Sequence, residues 1–129
     1  MTTKVPVRLV ATNLETGEVI ASRVDVAAKR VERAVGLLSR KRFDPGDGLF
    51  ITPCRGVHTW FMRYPIDIVA LNEDGVVVDA VSDLGPWRIR LPRPGSVNVL
   101  EVPAGSLSRS KTKVGHRIEM KLVTALEAQ

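Results

Sequence analysis

Residues 66–81 read IDIVALNEDGVVVDAV, two apolar runs around Asn72-Glu73-Asp74-Gly75. Asp-Gly between apolar runs is a strong short-range hairpin signal, because glycine accepts the positive φ that a tight connection demands. Residues 66–71 and 76–81 are therefore expected as paired antiparallel strands. Alternation places Asp67 on the face of Val69 and Leu71, an acid among aliphatic side chains.

Working outward, the same pattern recurs. Residues 4–11 read as a strand that Pro6 marks as an edge or first strand, and a turn at 15–18 closes it against 19–26. Further strands are expected at 49–52, 57–62, 97–102 (ended by Pro103) and 117–123. Residues 43–48 (FDPGDG) form a loop, and 84–96 (LGPWRIRLPRPGS) an irregular crossover, since Gly and Pro break regular elements. A loop or single helical turn covers 104–115. Only 27–39 changes period: Val31, Ala34, Val35 and Leu38 follow i, i+3, i+4, i+7, with Lys29, Arg30, Glu32 and Arg33 off that stripe. Seven or eight short strands and one amphipathic helix over 27–39 predict an α+β, mainly β fold. It should be compact and largely antiparallel, a small barrel or sandwich with the helix plugging one side.

The segment just before the hairpin, HTWFMRYPID at 58–67, concentrates aromatics in a chain where they are only 5% of residues. On a strand, His58, Trp60 and Met62 face one way and Thr59, Phe61 and Arg63 the other. One reading is a central strand buried on both sides. The other is a concave wall with His58 and Arg63 aimed into a pocket.

Two carboxylates sharpen the second reading. Asp67 and Glu101 (in VNVLEV, on the face of Val97 and Val99) each lie on an apolar strand face, where an unpaired charge costs several kcal/mol. Arg33, Arg63, Arg88 and His58 are the candidate partners. Such a pair either pins strand register or belongs to a polar cluster at a cleft mouth.

For catalysis, His58 with Asp67 or Glu101 supplies a base and its orienter, but no recognisable nucleophile motif, P-loop or dinucleotide fingerprint accompanies them. No catalytic residue is assigned, and the balance leans away from an enzyme. His58, Asp67, Glu101 and His116 lack metal-site spacing, so no metal or cofactor is expected.

With 129 residues, 44% hydrophobic and 26% charged, the chain fits one soluble domain spanning 1–129, without repeats or linkers. No apolar run reaches bilayer length and the first residues lack a signal-peptide pattern, so a cytoplasmic location is expected. Cys54 is the only cysteine, which excludes an internal disulfide and a cysteine-built zinc site; beside Pro53 it reads as an inert small residue. Nineteen Lys and Arg against fourteen Asp and Glu give a net charge of +5, which suits an anionic partner or a solvated basic surface.

Several motifs, in order, resemble the DUF192 family. They are GLLSR at 36–40, DGLF at 47–50, WFMRYPIDIVALNEDGVVV at 60–78 and VLEVPAG at 99–105. The resemblance spans about residues 24–122. It implies a compact, mostly β fold with one helix and no accepted activity, substrate or cofactor, and it draws attention to Gly36, Arg40, Gly48, Met62, Asp67, Glu101 and Gly105. His58-Thr59 before the aromatic-Met pair, with Pro86-Trp87-Arg88, resembles a bacterial branch.

Three departures stand out. Leu38 replaces a usual Met, and the Met-to-Asp spacing is short, so Asn or Thr contacts of the commoner loop do not carry over. Gly115-His116 replaces a usual Gly-Asp. By this resemblance Phe61 and Met62 belong to a shared core. His58, Trp60, Arg63 and Tyr64 line a surface hollow, with Trp87 and Arg88 closing over it.

The leading expectation is a binding module for a small polar, anionic or sugar-like ligand at an aromatic and Arg-lined cleft. The alternative is a protein-interaction or structural domain using its basic helix. Nucleic-acid binding through 29–42 with Arg109, Lys111 and Lys113 is disfavoured, for want of a reading motif. An enzyme using His58 with Asp67 or Glu101 is the last.

Overall fold

A computed structural model describes residues 7–27, 43–54, 57–58, 64–90 and 93–124. The 66–81 stretch forms the hairpin its sequence predicts. Strands β5 (Ile66–Leu71) and β6 (Val77–Leu84) pair antiparallel. At the turn the Asn72 side chain accepts the amides of Asp74 and Val76, both at 2.9 Å, and Gly75 takes a φ of +80°.

All six residues of β5 are buried, so it is covered on both faces. The rest of the sheet grows from it. β8 (Asn98–Pro103) lies on its other side, then β3 (Asp47–Ile51), β2 (Val19–Ala27), β1 (Val7–Asn13) and β9 (Ile118–Thr124), giving the order β6-β5-β8-β3-β2-β1-β9. Every pairing is antiparallel except β2 with β3, which is parallel. A parallel pair needs a crossover of roughly a dozen residues or more, and residues 28–46 supply that length. A two-residue ribbon, β4 (Val57–His58) with β7 (Ile89–Arg90), forms the second sheet.

The molecule is thus mainly β and of α+β class, built on one mixed, open sheet instead of the closed barrel or two-sheet sandwich envisaged from sequence. The two edge strands meet at one corner. There Val76 bridges Arg117, the Val77 amide donates to His116 O at 2.8 Å, and the Ile118 amide donates to Gly75 O at 2.8 Å.

The central strands bury a distinct apolar cluster on each face. Val69, Leu71, Leu100 and Val102 lie on the first, with Ala11, Ile20 and Ile118. Ile66, Ile68, Ala70 and Val99 lie on the second, with Leu49 and Ile51. Each fully buried aliphatic side chain contributes about 1.5–3 kcal/mol relative to exposure. Gly48 lets β2 and β3 approach, since a Cβ there would lie 3.0 Å from Ala21 Cβ.

The single helical turn expected within 104–115 is α1 (Ser106–Ser110), whose Leu107 enters the first cluster. Of the amphipathic helix expected over 27–39, Ala27 instead ends β2, and the remainder lies outside the described residues. β1 is the first strand but holds an interior position, so the edge role suggested by Pro6 does not apply to it. Pro103 closes β8 from within the strand.

Candidate functional site

Asp67 and Glu101 lie on neighbouring strands, one register step apart: Ile68 faces Glu101 and Asp67 faces Val102. Pleating sends directly opposed residues to the same face and successive ones to opposite faces. Asp67 therefore points into the first apolar cluster and Glu101 into the second. The two carboxyls do not share a site.

The Asp67 carboxylate, 0% exposed, accepts three backbone amides. Oδ1 takes the amide of Asp83 at 2.7 Å, and Oδ2 takes those of Gly105 at 3.1 Å and Leu107 at 2.9 Å. Its partners are main-chain N–H groups, not the Arg or His side chains expected from sequence. The bonds tie the end of β6 and the start of α1 to the central strand. Gly105, the residue preceding α1, has a φ of +96°, which is open to glycine at little cost and brings its amide to the acid.

Glu101 is the opposite case. It is 6% exposed, flanked by Ile68 of β5 and Leu49 of β3, and no hydrogen bond to its carboxyl exists among the described residues. Burial pushes its pKa up to about 7.

On the same face as Glu101, by register with Ala70, stands Asp79 of β6. Arg90 grips it with both ends of its fork, Nε to Oδ2 at 2.7 Å and Nη2 to Oδ1 at 2.8 Å, while Arg93 Nε lies 3.8 Å from Oδ2. The Arg90 hydrogen bonds hold the Asp79 carboxyl below the usual range, against the opposing effect of burial. Since Arg90 belongs to β7, the pair fastens the β4–β7 ribbon to β6. Sequence reasoning passed over both residues. The signal was the acid in VVVDAV, an apolar run that leaves a carboxylate in need of a cation.

At the ribbon, two sequence-predicted segments touch through their backbones. Val57 opposes Arg90 and His58 opposes Ile89, which sets the start of the aromatic segment beside the Pro86-Trp87-Arg88 segment. Trp87 is 60% exposed and Ile89 58%, and Arg88 is exposed. Trp87 adopts a φ of +62°, a left-handed conformation that costs a bulky side chain about 1–2 kcal/mol.

Tyr64 is half-buried and packs on the second cluster with its ring 6.0 Å from that of Phe43. The His58 side chain, Trp60, Met62, Arg63, Gly36 and Arg40 lie outside the described residues. So does the whole basic stripe at 29–42. Arg109, Lys111 and Lys113 are exposed around α1. Cys54 is half-buried beside the second cluster.

A separate polar knot joins the turn after β1 to the segment before β9. The Asn13 Oδ1 accepts the amides of Glu15 at 2.9 Å and Thr16 at 3.1 Å, which fixes the amide so that Nδ2 donates. Nδ2 reaches Thr112 Oγ1 at 3.1 Å and His116 Nδ1 at 3.0 Å. His116 Nδ1 also faces the Lys113 amide at 3.3 Å, so both neighbours ask it to accept, which assigns the proton of a neutral ring to Nε2. An open groove of about 480 Å³ lies elsewhere, lined by Arg8, Arg23, Asp25, Asp47 and Leu122. Its acidic and basic side chains balance, and it presents no single-sign field. Among the described residues no cluster of His, Cys, Asp and Glu forms a metal site, and no helix is long and apolar enough to cross a membrane.

Comparison with known proteins places these features in a family. The solved structure of a protein of unknown function from Novosphingobium aromaticivorans superposes with a TM-score of 0.74, covering 86% of this chain and 82% of that one at 22% identity, a likeness of fold. A UPF0127 protein of Pyrococcus abyssi is 35% identical over 103 residues, 75% of this chain and 85% of its own length. Another, of Pyrococcus furiosus, is 33% identical over 113 residues, 83% of this chain and 94% of its own. The family model DUF192, described as Uncharacterized ACR, COG1430, matches residues 11–120, and the chain belongs to that family.

Proposed function

We propose that this protein is a binding module for a small polar or anionic ligand, taken up at the β4–β7 ribbon. The observation that carries the reading is the pairing of His58 with Ile89, which sets the first residue of the aromatic segment close in the fold to Trp87 and Arg88. An indole stacks on planar or sugar-like groups and a guanidinium fork holds carboxylate or phosphate. Two further features favour it. Trp87 is exposed in a left-handed backbone conformation, a cost of the kind that gathers at binding sites. The Asp79–Arg90 pair, of which Asp79 is nearly buried, gives the ribbon a rigid footing on the sheet. His58, Trp60, Arg63, Tyr64, Trp87 and Arg88 are the proposed ligand-binding residues.

A thermal-shift screen tests this, with phosphates, nucleotides, sugars and small carboxylates at two salt concentrations. A ligand that binds only the native state, at roughly 100 times its dissociation constant, adds about 2.7 kcal/mol, a rise of several degrees for a domain of this size. The expected result is a hit that persists at high salt and disappears in Trp87→Ala and His58→Ala. Hits that survive both substitutions would remove the ribbon as the site.

A further inference from the structure

The segment between α1 and β9 carries a charge pattern that the ribbon reading does not use. Arg109, Lys111, Lys113 and Arg117 are all exposed, and no acid occurs between Glu101 and Glu119. Elsewhere the fold pairs arginine with acid, Arg23 with Asp47 at 2.9 Å and Arg90 with Asp79 at 2.7 Å. None of these four cations forms an ion pair among the described residues. Arg109 donates to Ser106 Oγ at 3.2 Å, and Glu15 accepts the Arg117 amide at 2.7 Å. That one carboxylate leaves the segment basic.

The backbone that presents the cations is fixed. Lys113–His116 is a turn closed by the His116 amide on Lys113 O at 3.1 Å, with Gly115 at a φ of +95°. Val77 clasps the turn from β6: its O accepts the Gly115 amide and its amide donates to His116 O, both at 2.8 Å. Val114 stands in the turn, 61% exposed. On the adjoining loop Leu14, whose amide donates to Arg117 O at 2.9 Å, is 50% exposed. Aliphatic side chains are thus held out among unpaired cations.

We propose that this turn docks on an anionic lipid surface, Val114 entering the headgroup layer while Lys111, Lys113 and Arg117 meet the phosphates around it. Cations beside an exposed apolar side chain match such a surface on both counts, charge and apolar area. A small anion calls for a concave site, whereas Val114 and its neighbours stand out on a turn. A nucleic-acid backbone would engage the cations and gain nothing from Val114. The inference does not rest on the ribbon as a ligand site.

The experiment is sedimentation of the intact chain with vesicles, phosphatidylcholine alone against phosphatidylcholine with about one-third phosphatidylglycerol, at about 0.05 M and about 0.5 M salt. Binding is expected on the anionic vesicles only, falling about tenfold or more at the higher salt. Lys111→Glu combined with Lys113→Glu should abolish it. Val114→Ser should weaken it about threefold or more and Val114→Leu should tighten it, since affinity for a lipid surface follows buried apolar area. All these positions are exposed, and the variants should melt with the parent, which separates lost docking from lost fold. Absence of binding to the anionic vesicles overturns the proposal, as does binding that survives the double charge reversal. Equal binding by the parent, serine and leucine proteins overturns it too. The segment would then answer to charge alone, and a DNA duplex held through the same lysines would be the alternative partner.

Discussion

Asp67 and Glu101 show how far one residue's meaning depends on what meets it. Both are acids on apolar strand faces, one register step apart, yet one is fully hydrogen-bonded and the other has no partner in the described fold. Replacing Asp67 by Ala strands three amides, two of them at the start of α1, and should cost roughly 3–5 kcal/mol, readable by urea denaturation. Glu101→Gln should do the reverse. The free carboxyl ionises at its ordinary value of 4.5 in the unfolded chain and near 7 in the fold. Below pH 4.5 both states keep the proton, and the native state suffers no penalty. As pH rises from there to about 7 the unfolded state ionises first, and stability falls by on the order of 3 kcal/mol. The glutamine variant should match the parent near pH 4 and exceed it at pH 8, so denaturation midpoints across that range check the sign. Equal slopes for the two proteins would show that Glu101 does not cause the fall.

Elements are held by pairs that sequence patterning does not rank. β7 is two residues long, and no ladder that short is stable by itself. Its attachment comes from Arg90 on Asp79. Asp79→Ala should therefore cost more at the ribbon than in the sheet. Amide exchange should quicken at Val57 and Arg90 at least tenfold, while β5 and β8 keep their protection. Uniform acceleration would instead mean that Asp79 supports the whole sheet. The turn after β1 and the segment before β9 are likewise joined through Asn13, Thr112 and His116. Position 116 is asked for an acceptor, which a neutral imidazole supplies and which a carboxylate would supply as well. His116→Asp should accordingly retain the parent's melting temperature within a degree or two. His116→Leu should lose about 1–3 kcal/mol by leaving the Asn13 donor unpaired.

For the whole molecule, the open sheet has an order of stability. β5 and β8 are interior strands buried on both faces, whereas β9 is an edge whose Leu122 is exposed. The slowest-exchanging amides should lie in 66–71 and 99–102, opening only with global unfolding, and those of β9 should open earlier. The sharpest test of the packing between β2 and β3 is Gly48→Ala. Its methyl would press on Ala21 and on Val24, 3.2 Å away, and should cost about 1–3 kcal/mol in a chemical melt. The corner where Val76 bridges Arg117 joins strands far apart in sequence, and it is the only place among the described residues where the two edges meet.

Much of this was legible in the chain itself. The bounds of β5 and the Asn72–Gly75 turn follow from alternation and turn chemistry, which act over a few residues. The faces of Asp67 and Glu101 follow from the same period-2 rule, as does the mainly β class. The ordered motifs from 36 to 105 identified the family. What alternation does not carry is which strand lies beside which. The parallel β2–β3 pairing, the open sheet, the amide partners of Asp67, the Arg90 grip on Asp79 and the meeting of His58 with Ile89 all depend on contacts between residues distant along the chain. Such contacts arise when several strands bury both faces together, and the energy that selects them is shared across the sheet instead of written in any one segment.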